Sequence, residues 1–251
     1  MLRIRAVRKW LTVNFFIALV ITGCASFDQG QKHEIKSIES EALQSGIGWW
    51  YARFRLNWPS NTNPMWYIDL CIAHQVIMPL LDEYKSNIPL WRFHRRAARD
   101  DHGRQFSFIF YSSSETAQQI FDTLQSDPLL RNLKFAGVID EDVYDNPAVI
   151  GKPHIEDTSD KKWPDSIQKT WPYYIMGVSQ MWLNLIAEVA ADKMAGHPPS
   201  SLQEIEEFYR RVNETVTELW EMEGRHAFMH HLNAIFGYEP LIYWEQRFMT
   251  F

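Results

Sequence analysis

Between Gln105 and Tyr111 a phenylalanine stands at every second position, Phe106, Phe108 and Phe110. A repeat of two is the period of a β-strand, and three phenyl rings on one side of a strand require an apolar layer beneath them. Gly48 to Leu56 alternates in the same way, with Trp50, Ala52, Phe54 and Leu56 on one side and Trp49, Tyr51, Arg53 and Arg55 on the other. The chain is therefore expected to build a sheet with one aromatic face and one mixed basic and aromatic face. Its 251 residues suffice for a large core without covalent staples, in one domain or two small ones.

The surrounding segments give the order. Pro59 to Pro64 is a loop, and Met65 to Tyr84 has helical spacing through Ile68, Ile72, Val76 and Leu80, with Pro79 placed to kink it. Leu90 to Arg96 reads as a strand and Asp100 to Gly103 as a turn. Ser114 with Glu115 opens a helix through Leu124, and Leu133 to Ile139 is the expected last strand. Strand, helix, strand, strand, helix, strand is the ferredoxin-like βαββαβ plan, assigned to residues 47–140.

Residues 141–163 form an acidic, irregular linker with Pro147 and Pro153. A helical part, 164–251, follows and is expected to pack on the sheet. Trp171, Ile175, Val178, Met181, Trp182, Leu185 and Val189 make a wide apolar stripe, which Pro172 can break near its start. His197 to Pro199 is a linker, and Ser201-Leu-Gln-Glu204 is a capping box that opens the next helix. Gly224 separates a further helix, Arg225 to Phe236, and Leu241 to Phe251 is a possible closing strand. The expected class is α+β, a ferredoxin-like sheet followed by helices.

The first residues carry a different message. Arg3, Arg5, Arg8 and Lys9 precede an apolar run from Trp10 to Ile21, which ends in Thr22-Gly23-Cys24. The apolar run is shorter than the ~20 residues of a spanning helix, and charge, apolar core and small residues in that order describe a signal peptide, residues 1–23. Leu19 to Cys24 resembles the lipobox of bacterial lipoproteins. That resemblance implies cleavage before Cys24, acylation of Cys24 as the bilayer anchor, and residues 24–46 as a polar tether. Ala25 in place of an aspartate implies, by the same resemblance, the outer membrane, with the folded part facing the periplasm or the surface.

Cleavage would remove four cations and no acid, taking the net charge from −6 to −10 over 228 residues. That balance argues against nucleic acid as a partner. With Cys24 acylated, Cys71 would then be the one free cysteine, on an apolar helix face where it acts as a small hydrophobe.

Two groupings carry chemistry. Arg53, Arg55, Arg92, His94 and Arg96, with Tyr51 and Tyr111, are candidates to share the sheet face opposite the helices, where arginine forks beside aromatic rings suit a carboxylate or phosphate. His226, His230 and His231 share a predicted helix, and the His226/His230 pair at i, i+4 is a candidate for a transition metal, with Glu223 or His197 as a further group to join them. Ala227 stands where the zincin motif needs its glutamate, so that motif is not formed. Phosphate loops, nucleophile elbows and paired-cysteine motifs are missing from the sequence. Asp140-Glu-Asp142 with Asp145 lacks the spacing and glycine of a calcium loop.

Residues 90–111 also show a faint resemblance to the C-terminal domain of lantibiotic dehydratases and thiopeptide-type biosynthesis proteins. An aromatic strand is followed by His102, Arg104 and Phe106 in the family's spacing, with Gln105 and Ser107 departing from it and the second arginine missing. The resemblance implies a shared fold. It does not carry that family's cytoplasmic, transfer-RNA-linked catalysis to a secreted chain. The sequence therefore points to an envelope lipoprotein that binds an anionic or peptide partner without a cofactor, leaning away from catalysis. The alternative is an envelope enzyme or metal-binding protein built on the histidines.

Overall fold

A computed structural model describes residues 46–194 and 199–237. Cys24, the tether up to residue 45, His197 and the expected closing strand from Leu241 lie outside the described residues. The elements are β1 (Ile47–Leu56), α1 (Trp66–Ile72), a π turn (Ala73–Ile77), α2 (Met78–Glu83), β2 (Leu90–Ala97) and β3 (Arg104–Ser113). They continue with α3 (Ser114–Ser126), α4 (Pro128–Phe135), β4 (Ile139–Tyr144), a 3-10 turn (Ile155–Thr158), α5 (Asp165–Lys193), α6 (Leu202–Gly224), a second π turn (Arg225–His230) and α7 (His231–Ile235).

The described strands make one antiparallel sheet in the order β2-β3-β1-β4. Register stacks the alternating residues across strands, so that Phe54 faces Phe106, Ala52 faces Phe108, and Trp91 and Trp50 both flank Phe110. Phe54, Phe106, Phe108 and Phe110 are fully buried. They form the floor of a core roofed by Ile68, Leu70, Ile72 and Ile77 from the first helical stretch and by Ile120, Phe121 and Leu124 from α3. Leu183 and Ile186 of α5 and Phe208, Tyr209 and Val212 of α6 extend the same core.

Local chemistry sets the helix ends. Ser113 caps α3 by accepting from Thr116 N, one residue earlier than the expected Ser114. Asp127 caps α4, accepting from Leu130 N at 2.8 Å, with Pro128 in the first turn where its missing N–H costs nothing. Leu133, expected in the last strand, is thus in α4, and the strand lies later, at Ile139–Tyr144. The Ser201/Glu204 capping box forms as expected, at 3.2 Å in both directions. Gly224 does not separate two helices: α6 runs on into the π turn, and a Cβ at Gly224 would collide with the Trp220 ring.

The two internal prolines are accommodated differently. Pro79 follows the π turn, the wider coil taking up the hydrogen bond that proline cannot make. Pro172 sits inside α5 without ending it. The carbonyl that Pro172 leaves without its helical donor is that of Gln168, and the buried Ser159 hydroxyl donates to it at 2.6 Å. That bond also ties the end of the irregular segment to α5.

Candidate functional site

The register places Arg53, Arg55, Arg92, His94 and Arg96, with Tyr51 and Tyr111, on the same face of the sheet, away from the phenylalanines. β1 and β2 are not neighbours; β3 lies between them, so Ser107 separates Arg53 from His94 and Gln105 separates Arg55 from Arg96.

One end of this face is covered. Trp49, Leu90, Ile109 and Tyr111 form a second small core with Ile155 and Met176. The chain at 152–155 is tied across it. Trp49 N donates to Lys152 O at 2.9 Å, Trp49 Nε1 donates to His154 O and Ile155 O, and Tyr111 Oη donates to Pro153 O at 2.7 Å. Gly48 admits this crossing, since a Cβ there would lie 2.7 Å from Ile150. Burial, then Asp157 and Glu156, push the Tyr111 phenol up to about 12, so it stays a donor. Tyr51 accepts from Lys152 Nζ at 2.8 Å, and the Arg53 guanidinium lies 4.5 Å over its ring.

The cations of the face meet different fates. Arg53 pairs with Asp145 at 3.2 Å. Arg96 pairs with Asp100, whose carboxyl that contact holds at about 2. Arg55 donates to Asp101 O. Arg92 has no ion pair among the described residues, and its buried Nε has no hydrogen-bond partner. Burial pulls the Arg92 guanidinium down from its ordinary value. Burial, then Arg92 and Arg96, also lower the His94 imidazole, so this corner is positive and its histidine neutral.

Arg92 and His94 border a cavity of about 490 Å³ between β2, α5 and α6. Its walls are Trp171, Ile175, Val178 and Leu185 of α5 and Val216 and Trp220 of α6. α5 lies along the outer edge of β2, where Ser179 Oγ accepts from Phe93 N at 3.1 Å and donates to Ile175 O at 2.8 Å.

Behind the cavity lies a cluster that sequence reading missed. Asp69, fully buried, accepts from Arg95 Nε at 2.6 Å and from Arg104 at 2.5 Å. Arg95 stacks between Trp66 and Trp182, at 4.8 and 4.9 Å, and Arg104 lies 4.2 Å over Trp66. Burial raises the Asp69 carboxyl while the two guanidiniums lower it. A neutral Asp69 would strand the buried Arg104 charge, so the carboxylate is the form this geometry holds. Asp69 sits in an apolar run and its partners are over 20 residues away in sequence; only the odd charge at a core position signalled it. Of the residues that carry the lantibiotic-dehydratase resemblance, His102 is exposed in a turn while Arg104 belongs to this cluster.

No family model, curated protein or solved structure matches this chain. Its function is therefore read from these side chains alone. The remaining candidates stand as follows. The rings of His226, His230 and His231 lie 5.0–5.5 Å apart, centroid to centroid, and are exposed. Among the described residues no group of three His, Cys, Asp or Glu is placed to hold a metal ion. Cys71 is buried and burial raises its thiol, which leaves it inert. Asp142 and Asp145, from the acidic stretch, are engaged by Lys134 and Arg53. Among the described residues no helix is long and apolar enough to cross a membrane.

Proposed function

We propose that this chain is a lipoprotein of the outer membrane, anchored by acylated Cys24, whose folded part binds an anionic partner at Arg92. The observation that carries the binding site is the state of that arginine. It is a half-buried cation with an unpartnered Nε on the wall of an aromatic cavity, while Arg53 and Arg96 on the same face have carboxylates of their own. Partly buried cations without partners are costly, and a ligand carboxylate or phosphate relieves that cost through the guanidinium fork. The cavity falls in the usual 300–1,000 Å³ range of ligand sites.

We read the sheet as ferredoxin-like. What supports this is the order β2-β3-β1-β4, with helices on the connections from β1 to β2 and from β3 to β4. The anchor reading rests on Leu19 to Cys24 and its basic and apolar prelude.

Saturation-transfer NMR with 2-naphthalenesulfonate, a soluble aromatic anion, tests the site. Transfer to the probe is expected from the parent chain and at least tenfold weaker affinity from Arg92→Gln, the loss of one charge-assisted hydrogen bond. Equal affinity in the two proteins would refute the site. Labelled palmitate incorporated by the parent and not by Cys24→Ser tests the anchor; incorporation by both would refute it.

A further inference from the structure

Resting on that anionic site, we infer that its ligand is the carboxylate of a single long acyl chain, with Arg92 on the carboxylate and the tail between α5 and α6. Three observations favour this class over a peptide or a compact anion.

The first is polarity. Asn213, Thr217, Ser179 and the neutral His94 are the uncharged polar side chains of the lining apart from the tryptophan rings, and Ser179 is already committed to Phe93 N and Ile175 O. A peptide would carry an N–H and a C=O at each residue into walls that offer few partners, and such groups are costly when buried alone. Strand addition along β2 is blocked as well, because Ser179 occupies the outward N–H of Phe93. A hydrocarbon tail asks nothing of these walls.

The second is length. The α5 lining runs from Trp171 to Leu185, about 21 Å at 1.5 Å per residue. One acyl layer is about 15 Å, half of a ~30 Å hydrocarbon core. The lining is longer than one acyl layer and long for a compact anion, and Phe93 beside Arg92 meets it at Ser179, part-way along.

The third is charge. Arg92 has no carboxylate partner, Arg95 is held by Asp69, and His94 is kept neutral beside Arg92 and Arg96, so one uncompensated cation meets the cavity. One cation and an apolar groove match one anion and one tail. The planar fork suits a carboxylate's two oxygens.

The test uses the full chain in detergent with a diazirine-bearing hexadecanoate, its cross-links mapped by mass spectrometry. Labelling is expected on α5 and α6, and should fall about tenfold in Arg92→Gln without a marked drop in melting temperature. The matching hexadecanol probe should label the parent only at the level of that variant. Val178→Trp, which fills the groove and keeps Arg92, should also remove the labelling. Labelling elsewhere, equal labelling by the alcohol, or labelling that survives Arg92→Gln overturns the inference. If naphthalenesulfonate still binds through Arg92 when hexadecanoate does not, only the acyl identity falls. If neither binds, the anionic site falls too.

Discussion

Arg104 and Arg92 are both taken largely out of water by the same sheet, one strand apart, and each has a buried Nε without a partner, but only Arg104 has a counter-charge. Arg104 meets Asp69 at 2.5 Å, lies over Trp66 and donates to the Gln105 carbonyl at 3.1 Å. Arg92 meets aromatic walls and no carboxylate. A buried charge whose partner is supplied by the fold is part of the fold. One whose partner is missing is a place where something else completes the structure. The same contrast separates two neighbouring parts of the basic face, the Trp49, Leu90 and Tyr111 end sealed by the 152–155 crossing and the β2 edge at Arg92 and His94 bordering the cavity.

If this contrast is right, the largest effect comes from breaking the internal cluster. Asp69→Ala should cost about 3–5 kcal/mol in urea unfolding, because Arg104 is left buried without a counter-charge. A cost below about 1 kcal/mol would mean that Asp69 is not the partner that makes Arg104 tolerable. Next, Trp49→Phe removes the donor shared by His154 O and Ile155 O and should cost about 1–3 kcal/mol, with faster proteolysis in residues 149–160. Ser159→Ala should cost about 1 kcal/mol by leaving the Gln168 carbonyl without the donor that Pro172 denies it.

A smaller effect is expected from pH. The Tyr209 hydroxyl accepts from Gln75 Nε2 and shares a hydrogen bond with His74 Nδ1, each at 2.7 Å. Burial lowers His74 from its ordinary 6.5, and the unfolded chain therefore takes up the proton first. Stability is full above about 6.5 and falls as pH drops below it; urea midpoints at pH 7.5 and 5.5 measure this. His74→Gln should flatten the difference, and the lowered His94 should leave a remainder. An undiminished difference in that variant would place the pH response elsewhere.

The alternation at Gly48–Leu56 and Gln105–Tyr111 was enough to sort side chains onto the two faces, because a strand's period writes its faces into the sequence. The last strand was misplaced because Leu133 to Ile139 is apolar enough for either element. Asp127-Pro128, a cap followed by a first-turn proline, was the local signal that decided for a helix. Which arginine stays unpaired was not readable. Arg53 meets Asp145 across 92 positions of sequence, and the cavity exists only once α5 lies along the edge of β2 and α6 packs beside it. Pairing of charges is a tertiary property, and residue spacing carries no trace of it.

The smallest stability effect belongs to the residue on which most depends. Arg92→Gln should change unfolding by no more than about 0.5 kcal/mol, or stabilise, since it removes a charge that the fold does not compensate. Thermal melts of the parent and of Arg92→Gln, each with and without 2-naphthalenesulfonate, put the central claim in one experiment. The account predicts that the anion raises the melting temperature of the parent and leaves the variant where it was, since only the parent's native state binds it. The same rise in both proteins, or a variant that melts far below the parent without the anion, would contradict it.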